Sequence, residues 1–164
     1  MAELSLFLAL VLAMATGHKL LDRERLAASA AALTGASAAR GNVISLAAAA
    51  YEAVAALALL FPDTRAAGAA LAAVLWTVYG IALLRRMGTS LDCGCNFAWR
   101  EKPVDLFAVI RAIGLAALAA IVFFVPAIPL TILAPFAAFG FLALYLALGE
   151  IMAITTSEQR SAAR

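Results

Sequence analysis

The sequence predicts an all-α membrane protein, a small polytopic bundle of five transmembrane helices, or four if one segment lies flat on the surface. Three observations carry this. Of the 164 residues, 66% are hydrophobic and only 13% charged, and the mean hydropathy of +1.01 lies far outside the globular range. The apolar residues fall into successive runs of about 20, each long enough at about 1.5 Å per residue to cross a hydrocarbon layer of about 30 Å. Short connections join these runs and leave no room for a soluble domain, so residues 1–155 read as one transmembrane unit, followed by a polar tail at 156–164. The formal net charge of +2 is small and scattered, which points to no nucleic-acid partner and leaves the lipid bilayer as the main one.

The first segment, residues 3–21, is apolar from Leu4 to Thr16. It has the length of a signal peptide, yet Met1-Ala2-Glu3 gives no positive n-region and no small-x-small cleavage site precedes the charges, so it reads as a retained helix. Gly17-His18-Lys19 and Asp22-Arg23-Glu24-Arg25 follow, and the alanine-rich stretch up to Arg40 extends a helix past the bilayer or lays one along its surface. The second segment, 42–61, contains Glu52 as its only acid and stops at Pro62-Asp63, a turn signal. The third, 65–84, carries Ala66, Gly68, Ala69, Ala72 and Ala73, small residues that let a neighbouring helix approach closely. Trp76 and Tyr79 lie in its far half and Arg85-Arg86 closes it. A loop at 87–102 leaves through Trp99 and Arg100-Glu101-Lys102, an interfacial exit. The fourth segment, 104–125, follows Pro103 and holds Arg111 about two turns in. Beyond Pro126-Ala127-Ile128-Pro129, the fifth segment, 130–154, contains Pro135, where a kink is expected, and Glu150 near its end.

Both cysteines sit in the loop, as Cys93-Gly94-Cys95. They can close on each other as a strained local disulfide, hold a soft metal as thiolates, or be ordinary loop residues. Gly94 favours the first two, because a ring closed across one residue needs unusual backbone and glycine reaches positive φ without a Cβ penalty. Strain would make such a bond easy to reduce and suited to exchange. In that reading Cys93 and Cys95 are the catalytic pair of a membrane thiol-disulfide oxidoreductase, and its electrons pass to another dithiol or to a quinone. Phe107, Trp76 and Tyr79 are the candidate quinone lining, although aromatic residues in membrane helices more often pack or anchor. In the metal reading the two thiolates suit Cu(I) or Hg(II), with His18 or Asp92 as an extra ligand. No second thiol pair continues such a relay across the bilayer. A purely structural subunit is the third alternative.

Glu52 and Arg111 are each costly in hydrocarbon and call for an interior partner. They lie at similar depth from the loop side, so an ion pair locking the second segment to the fourth is geometrically allowed. Functionally, Glu52 would relay protons to the thiols, and Arg111 would hold an anion or raise the thiolate fraction of a nearby cysteine. His18 is a candidate base or an interfacial polar residue, and Lys19 a side chain that snorkels. With five spans, Lys19, Arg23, Arg25, Arg40, Arg85, Arg86, Arg100, Lys102, Arg160 and Arg164 share one side and only Arg65 lies on the other. The positive-inside rule then sets the N-terminus outside and the Cys-Gly-Cys loop in the cytoplasm. Either orientation leaves His18, Lys19 and both cysteines on one face.

Gly17-x-Lys19 at the end of the first segment, Glu52 in the second, the basic end of the third, Cys93-Gly94-Cys95 and then Arg111 together resemble the MauE proteins of methylamine utilisation. That family is similar in turn to DoxX-like redox-associated membrane proteins. The resemblance spans roughly residues 4–124; it departs where Asn96-Phe97-Ala98 follows the cysteines in place of the family's Phe-Gly. It implies a multi-pass protein of the bacterial inner membrane. It further implies work with a thioredoxin-like MauD-type partner to mature a disulfide-rich periplasmic enzyme such as methylamine dehydrogenase. Cys93 and Cys95 would be the redox pair, Glu52 and Arg111 their buried polar support, and Lys19 a neighbour on the same face. Direct oxidation of periplasmic thiols wants the cysteines outside, whereas the basic residues place them inside; either the charge rule fails here or electrons cross the membrane from a cytoplasmic thiol donor.

Overall fold

The computed structural model describes residues 2–88, 104–126 and 131–162, with side chains as far as Met152. The described residues form six helices and no strand: α1 Ala2–Leu21, α2 Arg23–Thr34, α3 Ala38–Leu60, α4 Arg65–Arg85, α5 Leu106–Phe124 and α6 Ala134–Ala162. All but α2 are long and apolar enough to span a membrane. The alanine-rich stretch after the first span is the shorter helix α2. It follows α1 almost without a break, since Asp22 N donates to His18 O at 3.0 Å and Leu26 N to Asp22 O at 3.1 Å.

Each break has a local cause. Gly35, left-handed at φ 72°, ends α2 and donates to Ala31 O, a conformation that glycine adopts without a Cβ penalty. Phe61 is extended at φ −104°, ψ 132°, as the residue before Pro62 must be, and Thr64 Oγ1 closes the turn on Ala58 O at 2.9 Å. Asp105 caps α5 by accepting from Ala108 N at 2.9 Å. The last helix begins at Ala134 rather than near residue 130, so Pro135 falls in its first turn instead of kinking it. Proline is favoured there because its missing N–H has no intrahelical partner to lose.

Central α1 packs against α3, α5 and α6, while α4 lies between α3 and α5. Leu8, Leu12, Ala55, Ala69, Trp76 and Val122 build one core shared by these helices. Where α3 and α4 cross, a Cβ on Gly68 would lie 2.7 Å from Leu59 N. Glycine therefore sets that approach. Helix α6 is tied to α1 by edge-to-face contacts of Phe7 with Phe141 and Tyr145. A small satellite cluster of Leu83, Val104, Val109 and Ala112, with Leu33 of α2 against it, closes the end of the bundle where α4 stops and α5 starts. At the opposite end Arg65 is buried and donates to Val125 O, so that it caps the last turn of α5.

Candidate functional site

Side chains on a helix lean towards its N-terminus. Because α1 and α3 run antiparallel, Lys19 near the end of α1 leans into the bundle, and Glu52 of α3 leans out towards it. They meet with Lys19 Nζ 2.8 Å from Glu52 Oε1 and 3.1 Å from Oε2. Helix α4 brings in Tyr79, whose hydroxyl donates to Glu52 Oε1 at 2.8 Å and whose ring centroid lies 5.6 Å from Lys19 Nζ. Glu52 is 0% exposed and Lys19 7%. A buried carboxylate is tolerated when its charge is matched and its lone pairs are engaged, and both conditions hold here.

The ion pair weighed from sequence, Glu52 with Arg111, is not formed. Glu52 takes Lys19 instead, and Lys19 turns inward rather than snorkelling. Depth was legible but azimuth was not: α5 packs on α4 and α1, and Arg111 is presented to α6, with its guanidinium 5.3 Å from the Tyr145 ring centroid. Tyr79, read from sequence as packing or quinone lining, joins this cluster, a contact that the sequence argument missed. A phenol six residues before the basic end of its segment, at the depth of Glu52, was the available signal.

His18 lies next to the cluster on α1 but faces α2. Its Nε2 is 3.0 Å from Arg25 Nη2. Arginine has only donors, so in this contact Nε2 is the acceptor. Arg25 Nε in turn pairs with Asp22 Oδ2 at 2.8 Å. Among the described residues no group of three or more His, Cys, Asp or Glu side chains is placed to hold a metal ion. Cys93, Cys95 and Asp92 lie outside the described residues. The described residues on either side are bonded to each other: Gly88 N donates to Val104 O at 3.0 Å, with Gly88 at φ 84°. That bond joins the end of α4 to the start of α5, beside the satellite cluster of Leu83, Val104, Val109 and Ala112.

Trp76 is 2% exposed within the core, so it lines no open cavity. A groove of about 540 Å³ opens elsewhere, between α1, α3 and α6, along Leu10, Ala13, Gly17, Ala56, Leu57 and Phe139. Its polar lining side chain, Thr16, spends its hydroxyl on Ala49 O at 3.4 Å. The lining of the groove is otherwise apolar and suits hydrocarbon.

The family model for methylamine utilisation protein MauE matches residues 1–125. The chain belongs to the MauE family. It is thereby a multi-pass membrane protein linked to methylamine utilisation. Searches of curated proteins and of solved structures return no match. The matched region includes Lys19, Glu52, Tyr79, both cysteines and Arg111, whereas α6 and with it Tyr145 lie beyond it.

Proposed function

We propose that this MauE-family protein is a thiol-disulfide exchange protein of the bacterial inner membrane, with Cys93 and Cys95 as its redox pair. The observation that carries the reading is the Gly88–Val104 hydrogen bond. It joins the two residues that flank the cysteine segment in sequence, where α4 stops and α5 starts, and these same helices carry Tyr79 and Arg111. A thiolate of a thioredoxin-like, MauD-type partner attacks one sulfur of the Cys93–Cys95 bond, and the other leaves as a thiolate and takes up a proton. The partner's second thiolate then resolves the mixed disulfide. The partner leaves oxidised, able to oxidise a disulfide-rich client such as methylamine dehydrogenase, and this chain is left with two thiols. Two electrons and two protons pass on to a further disulfide or a quinone, and the bond re-forms. Arg111 and His18 are polar support. Lys19 and Glu52 are positioning residues with the capacity to exchange protons.

The face of the membrane sets the route. Cysteines outside exchange directly with the periplasmic partner; cysteines at the cytoplasmic face, where the basic residues place them, carry electrons across from a cytoplasmic thiol donor. A membrane-impermeant thiol reagent applied to intact cells and to inside-out vesicles, before and after reduction, reads both the bond and its face. Labelling that requires prior reduction is expected. Cys93→Ser and Cys95→Ser should each abolish client oxidation, and one of them should trap the partner as a mixed disulfide. Full client oxidation in both variants would overturn the reading.

A further inference from the structure

We infer that Tyr79 is the proton entry to the buried Lys19–Glu52 pair, a role that needs neither cysteine. Of the three side chains only the Tyr79 hydroxyl both donates and accepts hydrogen bonds; the Lys19 ammonium has donors and no lone pair, and the Glu52 carboxylate only accepts. Glu52 is fully enclosed, and its hydrogen-bond partners are Lys19 and Tyr79. A proton reaching Glu52 therefore passes through one of these two groups. Passage through Lys19 first turns the ammonium into an amine and dissolves the ion pair. Passage through Tyr79 keeps the ammonium protonated throughout, so the ion pair gives way only as the carboxylic acid forms.

Half-buried Tyr79 bridges the enclosed carboxylate and the outside of the core. Its neighbour in the bundle, Tyr51, is spent differently, donating to the backbone at Leu71 O at 3.2 Å. In the relay step hydronium outside the cluster gives its proton to the Tyr79 oxygen as the Tyr79 O–H proton moves to Glu52 Oε1. The products are a neutral tyrosine, a carboxylic acid and the deprotonated donor; no electrons move. The cluster gains one positive charge, and the Tyr79 ring beside Lys19 Nζ offsets part of it.

The test uses the full chain in lipid vesicles, a pH jump and time-resolved infrared detection, with the Glu52 carboxyl band identified by its loss in Glu52→Gln. Tyr79→Phe keeps the ring and removes the hydroxyl, so it should slow the rise of the band by about tenfold or more and leave its final amplitude unchanged. Tyr79→His restores a group that donates and accepts and should return the rate to within about threefold of wild type. A Tyr79→Phe protein that exchanges as fast as wild type overturns the inference, as does a wild-type protein in which no Glu52 band appears at any pH where the helices persist. Should Tyr79→Phe fail to fold, Tyr79→His decides, and slowing by about tenfold or more there overturns the inference. Repeating the measurement with Cys93→Ser and Cys95→Ser together keeps this result separate from that of the exchange reading.

Discussion

Removing one member of the Lys19–Glu52 pair should cost far more than removing both. Breaking a buried ion pair typically costs about 3–5 kcal/mol, because the surviving charge stays in a low-dielectric interior. In Lys19→Met the enclosed Glu52 retains one donor, the Tyr79 hydroxyl. In Glu52→Leu the ammonium is left over the Tyr79 ring. With Glu52 at 0% and Lys19 at 7% exposure, neither survivor reaches water without repacking α1 against α3. Each single variant should therefore lose about 3–5 kcal/mol, roughly two to four powers of ten in the folding equilibrium. The double variant leaves no charge buried between α1 and α3 and keeps similar volume, so it should lie within about 1 kcal/mol of wild type. Equilibrium unfolding of the purified protein in mixed micelles by a denaturing detergent, followed by helix content, measures all four corners of the cycle. Additive losses in the double variant would refute the contact. Glu52→Gln with Arg111→Gln is the control: these two should add within about 0.5 kcal/mol, since Arg111 stands against Tyr145.

The glycines separate sharply in the same assay. Gly68→Ala drives a methyl into the backbone of α3 at Leu59 and should destabilise by about 1–3 kcal/mol, whereas Gly17→Ala, whose Cβ meets nothing within 4 Å, should change stability by no more than about 1 kcal/mol. Asp105→Ala removes the acceptor of Ala108 N and should cost about 1 kcal/mol. Amide hydrogen exchange should show the loss as faster exchange in the first turn of α5, with α3 unchanged.

Five spans and most of their ends were legible in the sequence because the determining signals are local: apolar length, Pro62 after Phe61, and the small residues around Gly68. The pairing of the charges was not. Glu52 and Arg111 share a depth, and depth is all that counting along a segment supplies. Which residues meet depends on how each helix is rotated about its axis, set by many weak contacts such as Phe7 on Tyr145 and Leu33 on the α4–α5 end. The position of Pro135 failed for a related reason. Hydropathy continues from residue 130 without a break, so the start of α6 depends on where backbone donors cease to need partners.

The cluster is better explained by chemistry than by stability. If an apolar pair at positions 19 and 52 folds as well as the ion pair does, holding the helices together gives no reason for a lysine, a glutamate and a tyrosine hydroxyl to converge in hydrocarbon. The two ends of the bundle also use their buried charge differently. Arg65 caps Val125 O through one guanidinium nitrogen, with its Nε and Nη1 buried and without a hydrogen-bond partner among the described residues, whereas Lys19 and Glu52 pair with each other and with the Tyr79 hydroxyl. All three come from α1, α3 and α4, inside the region matched by the MauE family, and α6 contributes none of them. What α6 adds is the Tyr145 face for Arg111 and the aromatic contacts to Phe7. The buried cluster therefore belongs to the family's portion of the chain, and α6 packs on α1 from outside it.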